Sequence, residues 1–319
     1  MLRVFYIKKE GGFVWEKNPK MIYPSDCDRM VWVDLQSSNE EEKKNVEKTF
    51  GIELFTPQEA AEIESSSRYF EDDDHIEANN AFIVYENKTY ATEQVSFILK
   101  KDILYTLRSA DLKSFAETVR KLKVTRNTSH LRGIQILLTL LETQIDLDAD
   151  FIEYVTKLTN NISKVLIKER SYKEDMLLSI TELQEYTILA RESIVDKQRL
   201  VSSLLKSDEL VAESDKERLR VVFRDVNSLL QHTEFSFERL EYLQNTFLGL
   251  VNIEQNTVIK IFTVVTVIFM PPTLIASIYG MNFKFLPELG WSFGYPFAIF
   301  LMITSSLAFL WYFKRKKWL

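Results

Sequence analysis

The sequence is poor in the residues on which many sites depend, with one cysteine, three histidines, eight glycines and seven prolines among 319 residues. The single Cys27 excludes an intramolecular disulfide and leaves no thiolate cluster for zinc, which is typical of a reducing compartment such as the cytoplasm. The histidines His75, His130 and His232 lie in unrelated segments, and no HExxH, GxSxG or Cys/His pattern is present. We therefore expect that the chain is not an enzyme.

Phosphate-binding glycine motifs are also absent, since neither GxxxxGK[ST] nor GxGxxG occurs, and we expect no nucleotide partner. The net charge is -6, and six cationic side chains but one carboxylate follow residue 257, so residues 1 to 257 carry -11. Such an acidic part argues against a nucleic-acid partner and is compatible with attracting cations. The first ten residues are apolar for too short a run to predict a signal peptide.

Residues 1 to 110 are rich in β-branched and aromatic residues and predict a mixed α/β domain. Two helices are expected there, Ser38 to Thr49 behind Ser and Asn caps, and Thr56 to Ala60 with Pro57 in its first turn. The predicted strands are Leu2 to Ile7, Phe13 to Trp15, Met30 to Asp34, Ala61 to Tyr69, Ile76 to Tyr85, Gln94 to Leu99 and Ile103 to Arg108.

The acidic run from Glu71 to Asp74 is followed by His75, so four carboxylates and an imidazole lie together in the sequence. A metal site would need them on one side of the chain, whereas consecutive residues of a strand point to opposite faces. We interpret this run as a solvated turn.

Long helices are expected between Asp111 and Gln255, because this region has no proline and has glycine only at Gly133 and Gly249. Apolar residues at helical spacing predict helices from Leu131 to Lys168 and from Tyr172 to Leu205, which form an antiparallel hairpin. The carboxylates on its polar face either gather cations or only keep the helix soluble. They are Glu142, Asp146, Asp148, Asp150 and Glu153.

From Leu219 nothing interrupts the helical pattern before the chain becomes strongly apolar near residue 260. One helix of roughly 60 residues, or about 90 Å, is predicted to continue into that apolar segment. Its apolar residues keep steps of three and four, as at a coiled-coil seam. Because a single helix of this length cannot bury its own apolar residues, we expect it to pack on copies of itself.

A segment without charge runs from Ile261 to Phe283 and is long enough to cross a hydrocarbon core of about 30 Å. One face of this helix carries a stripe of mainly polar residues, which recur at alternating steps of four and three. The stripe either packs helices together or lines a water-filled path. Its members are Asn252, Asn256, Ile259, Thr263, Thr266, Met270, Thr273 and Ser277.

A second apolar segment, Phe293 to Phe313, has aromatic residues at both ends, as membrane helices do at the two interfaces. Lys314, Arg315, Lys316 and Lys317 follow it at once. The positive-inside rule then places the C-terminus in the cytoplasm, and two spans place the long N-terminal part there too. A plain stop-transfer anchor would explain the same basic residues.

The first span ends in Gly280-Met281-Asn282, and the surrounding MPPTLIASIYGMNF resembles the CorA family of magnesium channels. The resemblance covers the last quarter of the chain, including Pro287 to Leu289 in the short loop, the second span and the basic end. It extends upstream to Glu93 to Ser109, which is similar to the strand pair that closes the sheet in CorA-type cytoplasmic domains.

The resemblance implies a homopentamer in which the long helices form a funnel and the stripe faces a central pore. In the family, the signature Gly280, Met281 and Asn282 is the selectivity filter at the outer mouth. Asn256 and Met270 match further pore positions.

The resemblance also implies a gate and a regulatory site. Phe262 occupies a position where the family often has leucine, a hydrophobic constriction of the pore. In the family, cytoplasmic Mg²⁺ bridges carboxylates of neighbouring subunits and holds the funnel shut, and Glu86 and Asp225 resemble that pair. Asp225 lies about one helical turn nearer to Asn256 than the family pattern, and could equally be a solvated charge. The basic tail forms a ring outside the funnel in the family.

We therefore predict an α+β membrane protein with a very long stalk helix that continues into its first span. Its parts are a cytoplasmic α/β domain (1–110), cytoplasmic helices with the acidic hairpin (111–213), the stalk helix and pore-lining first span (214–282), an external loop (283–292), the second span (293–313) and a basic cytoplasmic tail (314–319).

The predicted function is Mg²⁺ influx across the cytoplasmic (inner) membrane, with Co²⁺ and Ni²⁺ also able to pass, under the control of intracellular Mg²⁺. Neutral oxygens can recognise a hydrated Mg²⁺, whereas a carboxylate inside the span would tend to trap it. One alternative is the same fold moving another divalent cation such as Zn²⁺, although Met270 is the one soft ligand in the path. The other is a non-conducting, membrane-anchored oligomeric sensor or scaffold.

Overall fold

The computed structural model describes residues 1–8, 12–18, 27–61, 68–86, 88–125, 130–169, 174–207, 210–282 and 290–316. The chain divides into two compact units, Met1–Leu243 and Gln244–Leu319. The strands are β1 (Leu2–Lys8), β2 (Phe13–Lys17), β3 (Cys27–Gln36), β4 (Tyr69–Glu71), β5 (His75–Glu86), β6 (Thr89–Lys100) and β7 (Ile103–Arg108). The helices are α1 (Glu40–Phe50), α2 (Pro57–Ala61), α3 (Lys113–Val124), α4 (Gly133–Lys164), α5 (Glu174–Lys206), α6 (Glu213–Tyr279) and α7 (Gly294–Arg315), and a π-helical turn, Val165–Glu169, follows α4.

The first unit is built on a mixed sheet of seven strands in the order β2-β1-β3-β7-β6-β5-β4. Strands β3 and β7 pair in parallel, and the other neighbouring strands pair antiparallel. The alternation of side chains along β3 divides the core in two, because Val33 packs with Val46 of α1 on one face of the sheet. On the other face Trp32 stacks on Phe5 at 4.4 Å and lies 5.7 Å from Phe115 of α3.

Local signals in the sequence fix several of these elements. Strand β7 has the predicted bounds, and α1 begins with the expected cap, since Asn39 and Glu42 form a reciprocal capping box. Gly133 begins α4 directly against the turn between β6 and β7, where an added Cβ would lie 2.6 Å from the backbone nitrogen of Leu104. Only glycine fits that contact.

The predicted strand from Ala61 to Tyr69 is wrong. Ala61 lies in α2, Arg68 is helical and the strand begins only at Tyr69, while residues 62–67 lie outside the described residues. The first turn of α2 is fixed by Thr56, which donates to the Glu59 carboxylate from Oγ1 at 2.9 Å and from its backbone N–H at 2.8 Å. Residues 57–61 therefore form a short helix, and Ala61 ends that helix instead of beginning a strand.

The predicted antiparallel hairpin is present as α4 and α5, but Asp148 does not lie on a solvated face. Its carboxylate Oδ2 is 3.0 Å from Nζ of Lys197 in α5, and both side chains are fully buried. Glu142, also assigned to the solvated face, pairs at 2.7 Å with Arg218 of α6. These two carboxylates therefore form ion pairs with cationic side chains of other helices, and this accounts for their presence on α4.

The second unit holds the C-terminal part of α6 and the whole of α7. Both helices are long and apolar enough to cross a membrane, and only 6% and 11% of their most apolar 18-residue windows are buried. The core helix of a soluble protein would be mostly buried, so these apolar surfaces are made for another environment. Helix α6 continues to Tyr279 through Pro271 and Pro272.

Candidate functional site

One face of α6 packs in the second unit. Val264 is 6% exposed, and Ile268, Pro271 and Ile275 on the same side of the helix are half-buried. A hydrogen bond of 3.4 Å from Ser306 Oγ of α7 to the Ile268 carbonyl marks the contact between the two helices. This face accounts for how α7 is held against α6.

The stripe lies on a different side of α6. All eight of its members are exposed, with Ile259 at 53% and Met270 at 60%. At 3.6 residues per turn, the centre of the stripe is about 140° around the helix from the packed face. Within the chain the stripe is therefore left unpartnered by α7.

The threonine hydroxyls of the stripe bond to their own helix. Thr263, Thr266 and Thr273 each donate from Oγ1 at 2.8 Å to the carbonyl four residues earlier. A hydroxyl that has given away its hydrogen presents only oxygen lone pairs to its surroundings. The middle of the stripe is thus an array of acceptors, which suits the water hydrogens of a hydrated cation.

The signature residues follow the last helical turn. The N–H of Gly280 donates to the Ala276 carbonyl at 2.9 Å, and that of Met281 to the Ile278 carbonyl at 3.3 Å. A Cβ added at Gly280 would lie 3.0 Å from the Ala276 oxygen, tighter than ordinary contact. Met281 and Asn282 are exposed, and the loop with Pro287 to Leu289 lies outside the described residues.

Two further predicted features lie outside the stripe. Phe262 is 68% exposed and lies about 70° around the helix from the centre of the stripe, at its margin. Lys314 and Arg315 form the end of α7 and Lys316 follows them, all three exposed, whereas Lys317 lies outside the described residues.

Glu86 and Asp225 are exposed, at the end of β5 and on α6. Among the described residues neither carboxylate has an ion-pair partner. Glu86 borders a cleft of about 560 Å³ that is also lined by the carboxylates of Asp111 and Asp150. Carboxylate oxygens are hard ligands that suit Mg²⁺, so the chemistry of both residues fits this metal.

The described residues contain one group of three metal-ligating side chains with ligand atoms within 4.8 Å of one another, Asp72, Asp74 and His75. Its groups are already engaged, since Asp74 lies 2.8 Å from His75 Nδ1 and 3.4 Å from Lys100 Nζ. The hydrogen bond with His75 lowers the pKa of Asp74. Asp72 and Asp74 are exposed, which agrees with the interpretation as a solvated turn.

Sequence reasoning missed Ser306, which joins the two apolar helices. The signal was a row of residues in the second span at steps of four, in which small side chains predominate: Gly294, Ala298, Met302 and Ser306. Small residues at this spacing let membrane helices approach closely.

The fold and the site define a membrane protein with a large mixed-sheet unit and two apolar helices, the first of which carries an exposed polar face. The family model described as CorA-like Mg2+ transporter protein matches residues 28–315. The chain belongs to this family.

Similar proteins and a similar solved structure agree with this family assignment. The chain is 37% identical over 324 residues to the magnesium transport protein CorA of Wolinella succinogenes, with 100% of both chains covered. It is 38% identical over 294 residues to that of Escherichia coli K12, covering 91% of this chain and 92% of the relative. The complete structure of the CorA magnesium transporter from Methanocaldococcus jannaschii has a TM-score of 0.82 at 21% identity, covering 100% of this chain and 99% of that one.

These matches confirm the predicted family and the predicted fold class, with a mixed-sheet N-terminal part, long helices and two membrane helices at the C-terminal end. A family of transporters also accords with the expectation that the chain is not an enzyme.

Proposed function

We propose that the chain is one subunit of a homopentameric channel that admits Mg²⁺ through the cytoplasmic (inner) membrane. The observation that carries the proposal is the exposed stripe of α6, which points away from the face that packs on α7. Five copies that turn the stripe toward a common axis would enclose a path lined by hydroxyl and amide oxygens. Residues 1 to about 257 and the basic end lie in the cytoplasm, following the positive-inside rule.

Selection in this channel acts on the hydrated ion. Mg²⁺ gives up its bound water reluctantly. Oxygens that accept hydrogen bonds from this water shell can therefore recognise the ion without removing the water. The Gly280 to Asn282 segment provides the first ring of such oxygens, and Thr273, Thr266 and Asn256 provide later stations. Ile259, Phe262 and Met270 form dry constrictions that close the path. Hydrated Co²⁺ and Ni²⁺ resemble hydrated Mg²⁺ closely enough to pass.

The selectivity role of Asn282 is tested by flux into liposomes that contain the purified protein and an Mg²⁺-sensitive dye. Asn282→Ala should lower Mg²⁺ entry at least about tenfold, because it removes hydrogen bonds to a charged, hydrated ion. Thr304→Val is the control, since Thr304 is exposed on α7 and its hydroxyl bonds only to its own helix. Undiminished flux in Asn282→Ala would remove this residue from the filter.

Regulation by intracellular Mg²⁺ is proposed to use Glu86 of one subunit and Asp225 of a neighbour, two exposed carboxylates without ion-pair partners among the described residues. Millimolar Mg²⁺ should protect the soluble part of the wild-type protein from protease. The double variant Glu86→Ala, Asp225→Ala should lose that protection. Unchanged protection would show that these two residues do not form the site.

The same flux assay separates the channel from the alternatives. Entry of Zn²⁺ in preference to Mg²⁺ would assign the fold to another cation. No entry of any divalent cation from folded wild-type pentamer at low internal Mg²⁺ would favour the non-conducting scaffold, in which the stripe packs helices together.

A further inference from the structure

The proline pair inside α6 removes two backbone hydrogen bonds from a helix that lies in hydrocarbon. Pro271 and Pro272 have no N–H, so the carbonyls of Val267 and Ile268, four residues earlier, lose their usual helical donors. An unsatisfied carbonyl is costly in a membrane, and such helices are tolerated where a neighbouring helix supplies a donor.

Helix α7 supplies a donor to one of these two carbonyls. Ser306 Oγ donates at 3.4 Å to the Ile268 oxygen, the acceptor that Pro272 leaves free. The adjacent hydroxyls on α7 behave differently: Ser305 donates to Met302 at 2.8 Å and Thr304 to Phe300 at 2.7 Å, both within their own helix. Of these three neighbouring hydroxyls, Ser306 alone bonds to α6.

The hydrogen bond from Ser306 lies close to the residues that form the outer part of the proposed path. Thr273 follows Pro272 directly, and Ser277 and the signature from Gly280 to Asn282 lie within the next three turns. A helix that lacks two consecutive bonds bends easily at that point. The bond from Ser306 therefore restrains the segment that carries the outer stations of the proposed path.

We propose that Ser306 is a positioning residue for ion conduction, which holds the outer turns of α6 in place through the Ile268 carbonyl that Pro272 leaves free. This inference rests on the proposed channel function. Ser306 does not touch the ion, and it acts through the backbone of α6.

The test compares Mg²⁺ flux per folded pentamer in liposomes, together with the ratio of Co²⁺ to Mg²⁺ flux. Ser306→Ala should lower Mg²⁺ flux about threefold to tenfold, the effect of one hydrogen bond, and should change the ion ratio. Ser306→Thr, which keeps the hydroxyl, should conduct like the wild type. Ser305→Ala is the matched control and should also conduct like the wild type.

Replacement of one proline should specifically compensate for the loss of the Ser306 hydroxyl. Pro272→Ala returns an N–H to the Ile268 carbonyl, so Ser306→Ala should have no added effect in the Pro272→Ala background. Pro271→Ala restores the donor for Val267 instead and should leave the full effect of Ser306→Ala in place.

Three results would overturn the inference: equal flux and ion ratio in Ser306→Ala and Ser305→Ala, equal rescue by the two proline replacements, or a Ser306→Ala defect limited to the yield of folded pentamer. Wild-type protein that forms pentamers but passes no Mg²⁺ would overturn the channel as well. If the wild type conducts Mg²⁺ and Ser306→Ala has the same flux and ion ratio as the wild type, this inference alone would be overturned.

Discussion

At the scale of single residues, Lys197 is an unusual feature because its charge lies in the interior of the first unit. Its Nζ is 3.0 Å from Asp148, 2.9 Å from the Ala81 carbonyl and 2.6 Å from Ser193 Oγ. Burial lowers the pKa of Lys197, and the carboxylate of Asp148 opposes that change. The contacts join α4, α5 and β5, so this one side chain connects the hairpin to the sheet.

Replacement of this lysine should be far more harmful than replacement of a surface lysine. We expect Lys197→Met to lower the free energy of unfolding by about 3–5 kcal/mol, because it leaves the buried charge of Asp148 without its partner. Thermal unfolding of the purified full chain measures the effect. Lys113→Met should change the free energy of unfolding by less than about 1 kcal/mol, since Lys113 is exposed and its pair with the half-buried Glu117 lies at the surface. Similar changes in the two variants would contradict this role of Lys197.

The pair also marks what could not be predicted at this scale. Helical periodicity placed Asp148 on the polar face of α4, but the side chain is fully buried against Lys197, which lies 49 positions later on another helix. Periodicity reports which side of one helix a residue occupies, and it carries no information about the residue that meets it there. By contrast, the Asn39 and Glu42 cap was readable because both partners lie within one turn.

At the scale of elements, α6 has two distinct faces in the second unit. One packs on α7, and the other, the stripe, is exposed. Thr266 and Thr257 make the same hydrogen bond to the carbonyl four residues earlier, at 2.8 and 2.9 Å, but only Thr266 belongs to the stripe. They are therefore a matched pair for asking what the stripe does.

Thr266→Val keeps the shape of the side chain and removes an oxygen from the stripe. We expect it to lower Mg²⁺ flux in liposomes about threefold or more, because one acceptor is lost from each of five subunits. Thr257→Val should leave flux unchanged. Equal flux in the two variants would assign the stripe hydroxyls to helix packing and not to conduction.

Elements with a strong period and a local start signal were predictable, such as β7, α1 and the two apolar spans. The strand expected from Ala61 to Tyr69 was not, because a five-residue helix and a three-residue strand are too short for periodicity to separate. The row of small residues in α7 could have indicated the face that includes Ser306, but not its contact with Ile268, since a backbone carbonyl carries no side-chain signal.

At the scale of the whole molecule, the exposed apolar surface of α6 outside the proposed membrane span supports the proposal that the chain associates with copies of itself. Phe235 is 64% exposed and Tyr242 is 61% exposed, both in the helix that precedes the span. We expect native mass spectrometry of the detergent-purified protein to give five chains. A stable monomer or dimer would contradict the shared axis on which the proposed channel depends.

The lone Cys27 makes the orientation of the stripe directly testable. In a Cys27→Ser background, Ser277→Cys, on the exposed stripe near its outer end, should react with a water-soluble thiol reagent from the aqueous side of the pentamer. Val265→Cys, about 130° from the centre of the stripe and 47% exposed, should not react because it faces lipid. Reaction at Val265 alone would place the stripe against lipid.

The arrangement between subunits is the part that one sequence supports least. Exposed apolar residues on α6 predict that copies associate, but neither their number nor the residues that meet across an interface follow from the pattern of one chain. The predicted number of five subunits came from the family resemblance. The sequence pattern of α6 indicated only that this helix packs on copies of itself.

The threonine hydroxyls that bond to their own helix have a consequence for anions. Chloride needs hydrogens directed toward it, and Thr263, Thr266 and Thr273 have already committed theirs to carbonyls. In the proposed channel this stretch would repel negative ions although it contains no fixed negative charge. The sign of the permeating ion would then be chosen by the direction in which three hydroxyl groups point.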